Sequence, residues 1–151
     1  EDKQMTNWWM RLGALLLAAL ATTALVSLGH SLFVQSELAA LGTALPIHVR
    51  LGAIVRDFVG LLPTLGAVVL GSLLIAFLIA GWLRPRAGRL APLAYPLAGW
   101  AAIALALFAM RLSYGFSPLA GARTGAGFLT MSLGGLVGGL IFAWATRKTR
   151  A

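Results

Sequence analysis

Apolar residues fall into four long runs separated by short polar or basic stretches, with spans predicted at about 9–29, 64–82, 92–111 and 126–146. Each run is near the roughly 20 residues that a helix needs to cross a bilayer core. The central pair flanks Arg84-Pro85-Arg86-Ala87-Gly88-Arg89. Three arginines and a proline in six residues belong in water, so these two runs read as a hairpin that crosses the membrane twice, joined by an inner turn at 83–91. The pattern predicts an all-α polytopic membrane protein, a four-helix transmembrane bundle.

The interval 30–63 reads differently from the other connections. Val34, Leu38 and Leu41 keep helical spacing, so the first helix is expected to run past the membrane surface and stop at Gly42. Thr43-Ala44-Leu45-Pro46 reads as an extended break, because a residue before proline avoids the helical region. Ile47, Leu51, Ile54, Phe58 and Leu61 then recur at i, i+4, i+7, i+11 and i+14, with His48, Arg50, Arg56 and Asp57 on other faces. This predicts a separate amphipathic helix outside the bundle, lying at the interface or capping it, with Pro63 starting or kinking the second span. A second outer loop is expected at 112–125.

Charge sets the orientation. Lys3, Arg11, Arg84, Arg86, Arg89, Arg147, Lys148 and Arg150 fall on one side, against Arg50, Arg56, Arg111 and Arg123 on the other. The excess of Lys and Arg on inner segments places both termini and the central turn in the cytoplasm. Composition agrees with a membrane protein: 60% of the 151 residues are hydrophobic, 11% are charged and mean hydropathy is +0.89, where soluble domains carry about 25% charge. The net charge of +8 is then a topology signal and a contact for anionic phospholipid, with no nucleic-acid partner implied. The arginine-, alanine-, leucine- and glycine-rich composition reads as bacterial, and the location as the cytoplasmic (inner) membrane. Met5-Thr6-Asn7-Trp8-Trp9 reads as a native start, which leaves residues 1–4 as an added leader.

The chain has no cysteine, which removes disulfides, thiol redox chemistry and cysteine-held metals. Residues 12–28, 64–82, 92–110 and 127–146 contain no Asp, Glu, Lys or His, whereas ion-coupled transporters keep ionisable groups inside the membrane. No phosphate loop or nucleophile elbow is present. No cofactor, metal or catalytic set is predicted, and His30 and His48 lie 18 residues apart across a break. Four spans with inner termini and a longer first outer loop resemble the general layout of claudin-like proteins. The Trp/Leu/Trp signature and cysteine pair of that family's first loop are absent here.

Two constellations remain. Gly134, Gly135, Gly138 and Gly139 form overlapped GxxxG patterns in the fourth span, either a seam within the chain or an oligomer contact. On the outer side Arg50, Arg56, Asp57, Arg111 and Arg123 form a candidate ligand- or lipid-binding set, with Arg111 and Arg123 as an anion clamp and Asp57 expected to pair with Arg50, Arg111 or Arg123. The leading reading is a non-enzymatic accessory or scaffold subunit that binds a membrane partner or lipid through its outer loops and glycine face. An oligomeric pore or transporter for an anionic solute is the alternative. An enzyme acting on lipid at the outer leaflet through Glu37 or Asp57 is the third.

The topology is checked by impermeant thiol labelling of single cysteines at Ala87 and Ala120. They are expected to label from opposite sides of the membrane; labelling from one side would refute the orientation.

Overall fold

The four apolar runs form four helices in a computed structural model that describes residues 2–147. They are α1 (Asp2–Ala40), α2 (Ile47–Leu83), α3 (Ala94–Tyr114) and α4 (Gly125–Ala145). No strand occurs among the described residues, and all four helices are long and apolar enough to cross a membrane. Glu1, Lys148, Thr149 and Arg150 lie outside the described residues, and so do the side chains of Asp2 and Lys3; the leader and part of the inner charge read from the sequence fall there. Thr22 of α1 meets Gly138 of α4, Tyr95 of α3 meets Gly139 of α4, Phe77 of α2 meets Tyr95, and Ser31 of α1 meets Asp57 of α2. Each helix therefore runs antiparallel to the next, and α4 returns against α1.

The expected outer loop at 30–63 is corrected. Residues 30–40 are the last turns of α1 and residues 47–63 are the first turns of α2, so only 41–46 lies outside a helix. There is no separate amphipathic helix: the segment 47–61 continues through Pro63 into the second apolar run. Of its apolar stripe, Ile54, Phe58 and Leu61 are half-buried, while Ile47 and Leu51 are exposed. The physical reason lies in α1. Because α1 also overshoots, α2 has a partner along its outer half. Proline removes one backbone bond, but inside an apolar helix pair a full break would orphan several groups at greater cost. At about 1.5 Å per residue, the 39 residues of α1 and 37 of α2 exceed an apolar core of about 30 Å, whereas the 21 residues of α3 and of α4 match it.

The helix ends follow local rules. Beyond α1, Gly42 adopts φ +83°, its N–H bonds the Ala39 carbonyl and the Thr43 N–H bonds the Leu38 carbonyl. This is a Schellman stop, as the Gly42 signal predicts. α3 ends on Gly115 at φ +69°. α4 starts on Thr124, whose Oγ1 accepts from the Gly127 N–H at 3.0 Å. The basic turn is two short 3₁₀ segments, Arg84–Arg86 and Gly88–Leu93; Pro92 lies in the second and Pro96 in the first turn of α3.

Packing is inverted relative to a soluble protein. Much of the interior is small or polar: the buried face of α1 includes Ala14, Ala18, Ala19, Thr22, Thr23, Ser27, Ser31 and Gln35 beside Leu15 and Val26, and that of α4 includes Gly134, Gly135, Gly138 and Gly139 beside Met131 and Phe142. Many of the large aliphatic side chains point outward, including Leu17, Leu20, Ile75, Leu78, Leu105 and Leu133. Such a surface would aggregate in water and suits hydrocarbon.

The glycines decide how closely the helices approach. A Cβ on Gly135 would overlap the Gly99 carbonyl oxygen, and one on Gly139 the Tyr95 carbonyl oxygen, both in α3. A Cβ on Gly138 would collide with Thr22 Oγ1, and one on Gly134 would sit 3.3 Å from Leu25 Cβ, both in α1. The four glycines thus form two seams, one to each neighbouring helix.

Gly135→Ala is expected to destabilise the protein by about 1–3 kcal/mol through overpacking. Gly71→Ala, where a Cβ meets nothing within 4 Å, is expected to be neutral or mildly stabilising. Thermal unfolding in one detergent compares them, and equal melting temperatures would refute the seam.

Candidate functional site

Polar side chains gather where the C-terminal half of α1 and the N-terminal half of α2 run together. On α1, Thr23, Ser27, Ser31 and Gln35 recur every four residues and all are buried. The Thr23 hydroxyl bonds back to the Ala19 carbonyl at 2.7 Å, which satisfies it within its own helix. The outer two reach across. Ser31 Oγ donates to Asp57 Oδ2 at 2.6 Å. Gln35 Oε1 accepts from Arg50 Nε at 2.8 Å, and Gln35 Nε2 donates to the Arg50 carbonyl at 3.1 Å. The second pair clamps both the side chain and backbone of Arg50.

The connection between α3 and α4 closes onto the same end. Gly121 packs so tightly on α1 that a Cβ there would lie 2.9 Å from His30 Cα, and its N–H donates to His30 Nδ1 at 3.4 Å. His30 accepts at Nδ1, so its own proton sits on Nε2. Asp57 and Arg123 are the charged groups that face this imidazole. Ser117, Leu119, Gly121 and Ala122 are buried under the connection, which fixes Arg123 at the head of α4.

Arg123 and Arg111 line one cavity of about 270 Å³, together with Phe108, Phe128, Ala122 and Thr124. Arg111 lies in the last turn of α3 and Arg123 just before Thr124 caps α4. Both arginines are exposed, and the rest of the cavity's lining is largely apolar. Two planar, permanently charged donors beside an apolar cleft suit a phosphate or carboxylate attached to an apolar body.

The predicted set divides. Arg111 and Arg123 come together. Arg50 and Asp57 are turned to α1, and Asp57 makes no ion pair among the described residues. The expected pairing of Asp57 with Arg50, Arg111 or Arg123 is therefore corrected: its partner is a hydroxyl. The buried face of α1 explains this, because Ser31 meets Asp57 before any arginine does. Arg56 is exposed on α2 beside Gly52, and Glu37 and His48 are exposed; none of the three lines the cavity. His30 packs on Gly121 and is not joined by His48. The four glycines face α1 and α3, so that seam is occupied within the chain.

Sequence reading missed Ser31 and Gln35. Their spacing with Thr23 and Ser27 is a helical polar stripe, a signal available but masked by the alanine and leucine around it. It also missed a second, larger cavity of about 1120 Å³ at the opposite end, where Trp8 and Arg11 of α1 face Phe77 and Gly81 of α2.

A double-mutant cycle on Ser31→Ala and Asp57→Ala is expected to return a coupling of about 1 kcal/mol in unfolding free energy. Additive single effects would show that the contact contributes nothing. Comparison with protein-family models, curated proteins and solved structures finds no match to this chain, so function is argued from its own sites.

Proposed function

We propose that the chain is a multi-pass protein of the bacterial cytoplasmic membrane, with both termini in the cytoplasm and its helices forming a transmembrane bundle. It acts by contact and not by catalysis. At its outer end it binds an anionic phospholipid headgroup through Arg111 and Arg123, and it offers the overshooting α1–α2 hairpin to a membrane partner. It is an accessory or scaffold subunit.

The observation that carries this reading is the convergence of Arg111 and Arg123, 12 residues apart on two elements, on one aromatic-walled cavity. Topology follows from the distribution of Lys and Arg. The overshoot supports a contact role: Leu41, Ile47, Leu51 and Val55 stand exposed on the hairpin, beyond what α3 and α4 can cover. The oligomeric pore fits less well, because the glycine seam that would bring copies together already holds α1 and α3. The lipid enzyme also fits less well, because Asp57 is bonded to Ser31 while Glu37 lies exposed near the hairpin tip.

The test is native mass spectrometry of protein ejected from nanodiscs of mixed phosphatidylcholine and phosphatidylglycerol. Wild type is expected to retain phosphatidylglycerol. Arg111→Gln with Arg123→Gln is expected to lower its outer-site retention by about a hundredfold or more, since each charge-assisted hydrogen bond contributes about 1.5–3 kcal/mol, the double variant removes two, and 1.4 kcal/mol is tenfold. Unchanged retention would overturn the lipid reading.

A further inference from the structure

The large cavity at the inner end stands apart from the outer site and has the build of a binding pocket. Its volume of about 1120 Å³ is slightly above the roughly 300–1,000 Å³ common for ligand sites. The floor is the aromatic cluster of Phe77, Tyr95 and Phe142, with Phe77 and Phe142 stacked at 4.4 Å and Tyr95 tilted on Phe142 at 5.0 Å. The sides are leucines of α1 and α2. The polar part is basic: Arg11 and Arg84 line the cavity beside Trp8, and no acidic residue lines it among the described residues.

The two arginines differ from the other cations nearby. Arg84 is anchored, its Nε donating to the Ala91 carbonyl at 3.3 Å, which leaves its terminal nitrogens for a ligand. Arg86 is engaged elsewhere: it lies 4.6 Å over the Trp82 ring and donates to the Trp82 carbonyl. The cavity is therefore an open, mostly apolar cleft lined by two arginines, between helices that are apolar enough to cross a membrane. An acyl chain is the natural filling of such a cleft in hydrocarbon, and the paired charge selects the headgroup above it.

We infer that the cleft between the inner ends of α1 and α2 is a second binding site, occupied by one anionic phospholipid, its phosphate held by Arg11 and Arg84 and its chains laid against Phe77 and Phe142. On the proposed topology this lipid comes from the cytoplasmic leaflet, opposite the lipid at Arg111 and Arg123.

The experiment is the full chain in nanodiscs of phosphatidylcholine with a minority of phosphatidylglycerol, read by native mass spectrometry. Arg11→Gln with Arg84→Gln is expected to lower retention of one phosphatidylglycerol by about a hundredfold or more, and to do so also in an Arg111→Gln/Arg123→Gln background, which separates the two sites. Gly81→Leu keeps both charges but intrudes beside the Tyr95 hydroxyl, 3.4 Å from an added Cβ; it is expected to lose the same lipid. Inorganic phosphate in excess is expected not to displace it. Retention unchanged in Arg11→Gln/Arg84→Gln, or phosphatidylcholine held equally well, would overturn the proposal. Displacement by inorganic phosphate would overturn it in favour of a soluble phosphate.

Discussion

The structure depends on how closely the α4 backbone approaches its two neighbours. In hydrocarbon the aliphatic side chains gain little from leaving the lipid, so helix association must come from contact and from internal polar bonds. α4 supplies contact by omitting side chains. Gly135 and Gly139 admit the backbone of α3, and Gly134 and Gly138 admit that of α1, with the Thr22 hydroxyl directed at the Gly134 carbonyl at 3.4 Å. Because the glycines occur as adjacent pairs four residues apart, they point to two faces at once. One helix of 21 residues thereby holds two partners, and no part of this seam is left for a second copy.

α1 and α2 join by a different means. Their outer halves have no glycine seam of comparable closeness; instead Ser31 and Gln35 make hydrogen bonds to Asp57 and Arg50. Asp57 is half-buried and Arg50 exposed, so neither charge is fully desolvated, while the buried Ser31 and Gln35 each have a partner. The same links bear on why Pro63 does not end the helix: they hold α2 before the proline, and the buried Leu65 and Val69 hold it after.

Much of this was legible in the sequence. The four spans were set by run length, the Gly42 stop by a single residue in a left-handed position, and the glycine seam by its spacing. The role of 47–61 was not, because periodicity reports that a face is apolar without saying what covers it. Ile54 and Phe58 read as an interfacial face and are in fact half-covered as α2 runs along α1. Arg111 and Arg123 were paired by their charge and proximity in sequence. Charge is the visible property of Asp57 and points to arginines, while the hydroxyl that takes it sits 26 residues away on α1, just past the first predicted span. The inner cavity was invisible for a related reason: Trp8, Arg11 and Arg84 each have a sufficient explanation as interface anchors, and only packing shows that they border one space.

The same packing bears on why the cavity lies where the start of α1 meets the end of α2. The hydrogen bonds between α1 and α2 sit at the opposite end, and the glycine seams hold α4 to α1 and α3 through the middle. Toward the start of α1, side chains become large: Phe77, Tyr95 and Phe142 pack together from α2, α3 and α4. Their rings join three helices and leave α1 out of the stack. Aromatic bulk on one side and small residues such as Ala14 and Ala18 on the other cannot keep four helix axes equally spaced over their full length. The cavity opens beside this change of side-chain size, lined by Leu15 of α1 and Leu74 and Phe77 of α2. An opening of that origin has an apolar interior and a mouth at the level of Trp8, Arg11 and Arg84, because the basic turn begins where α2 ends.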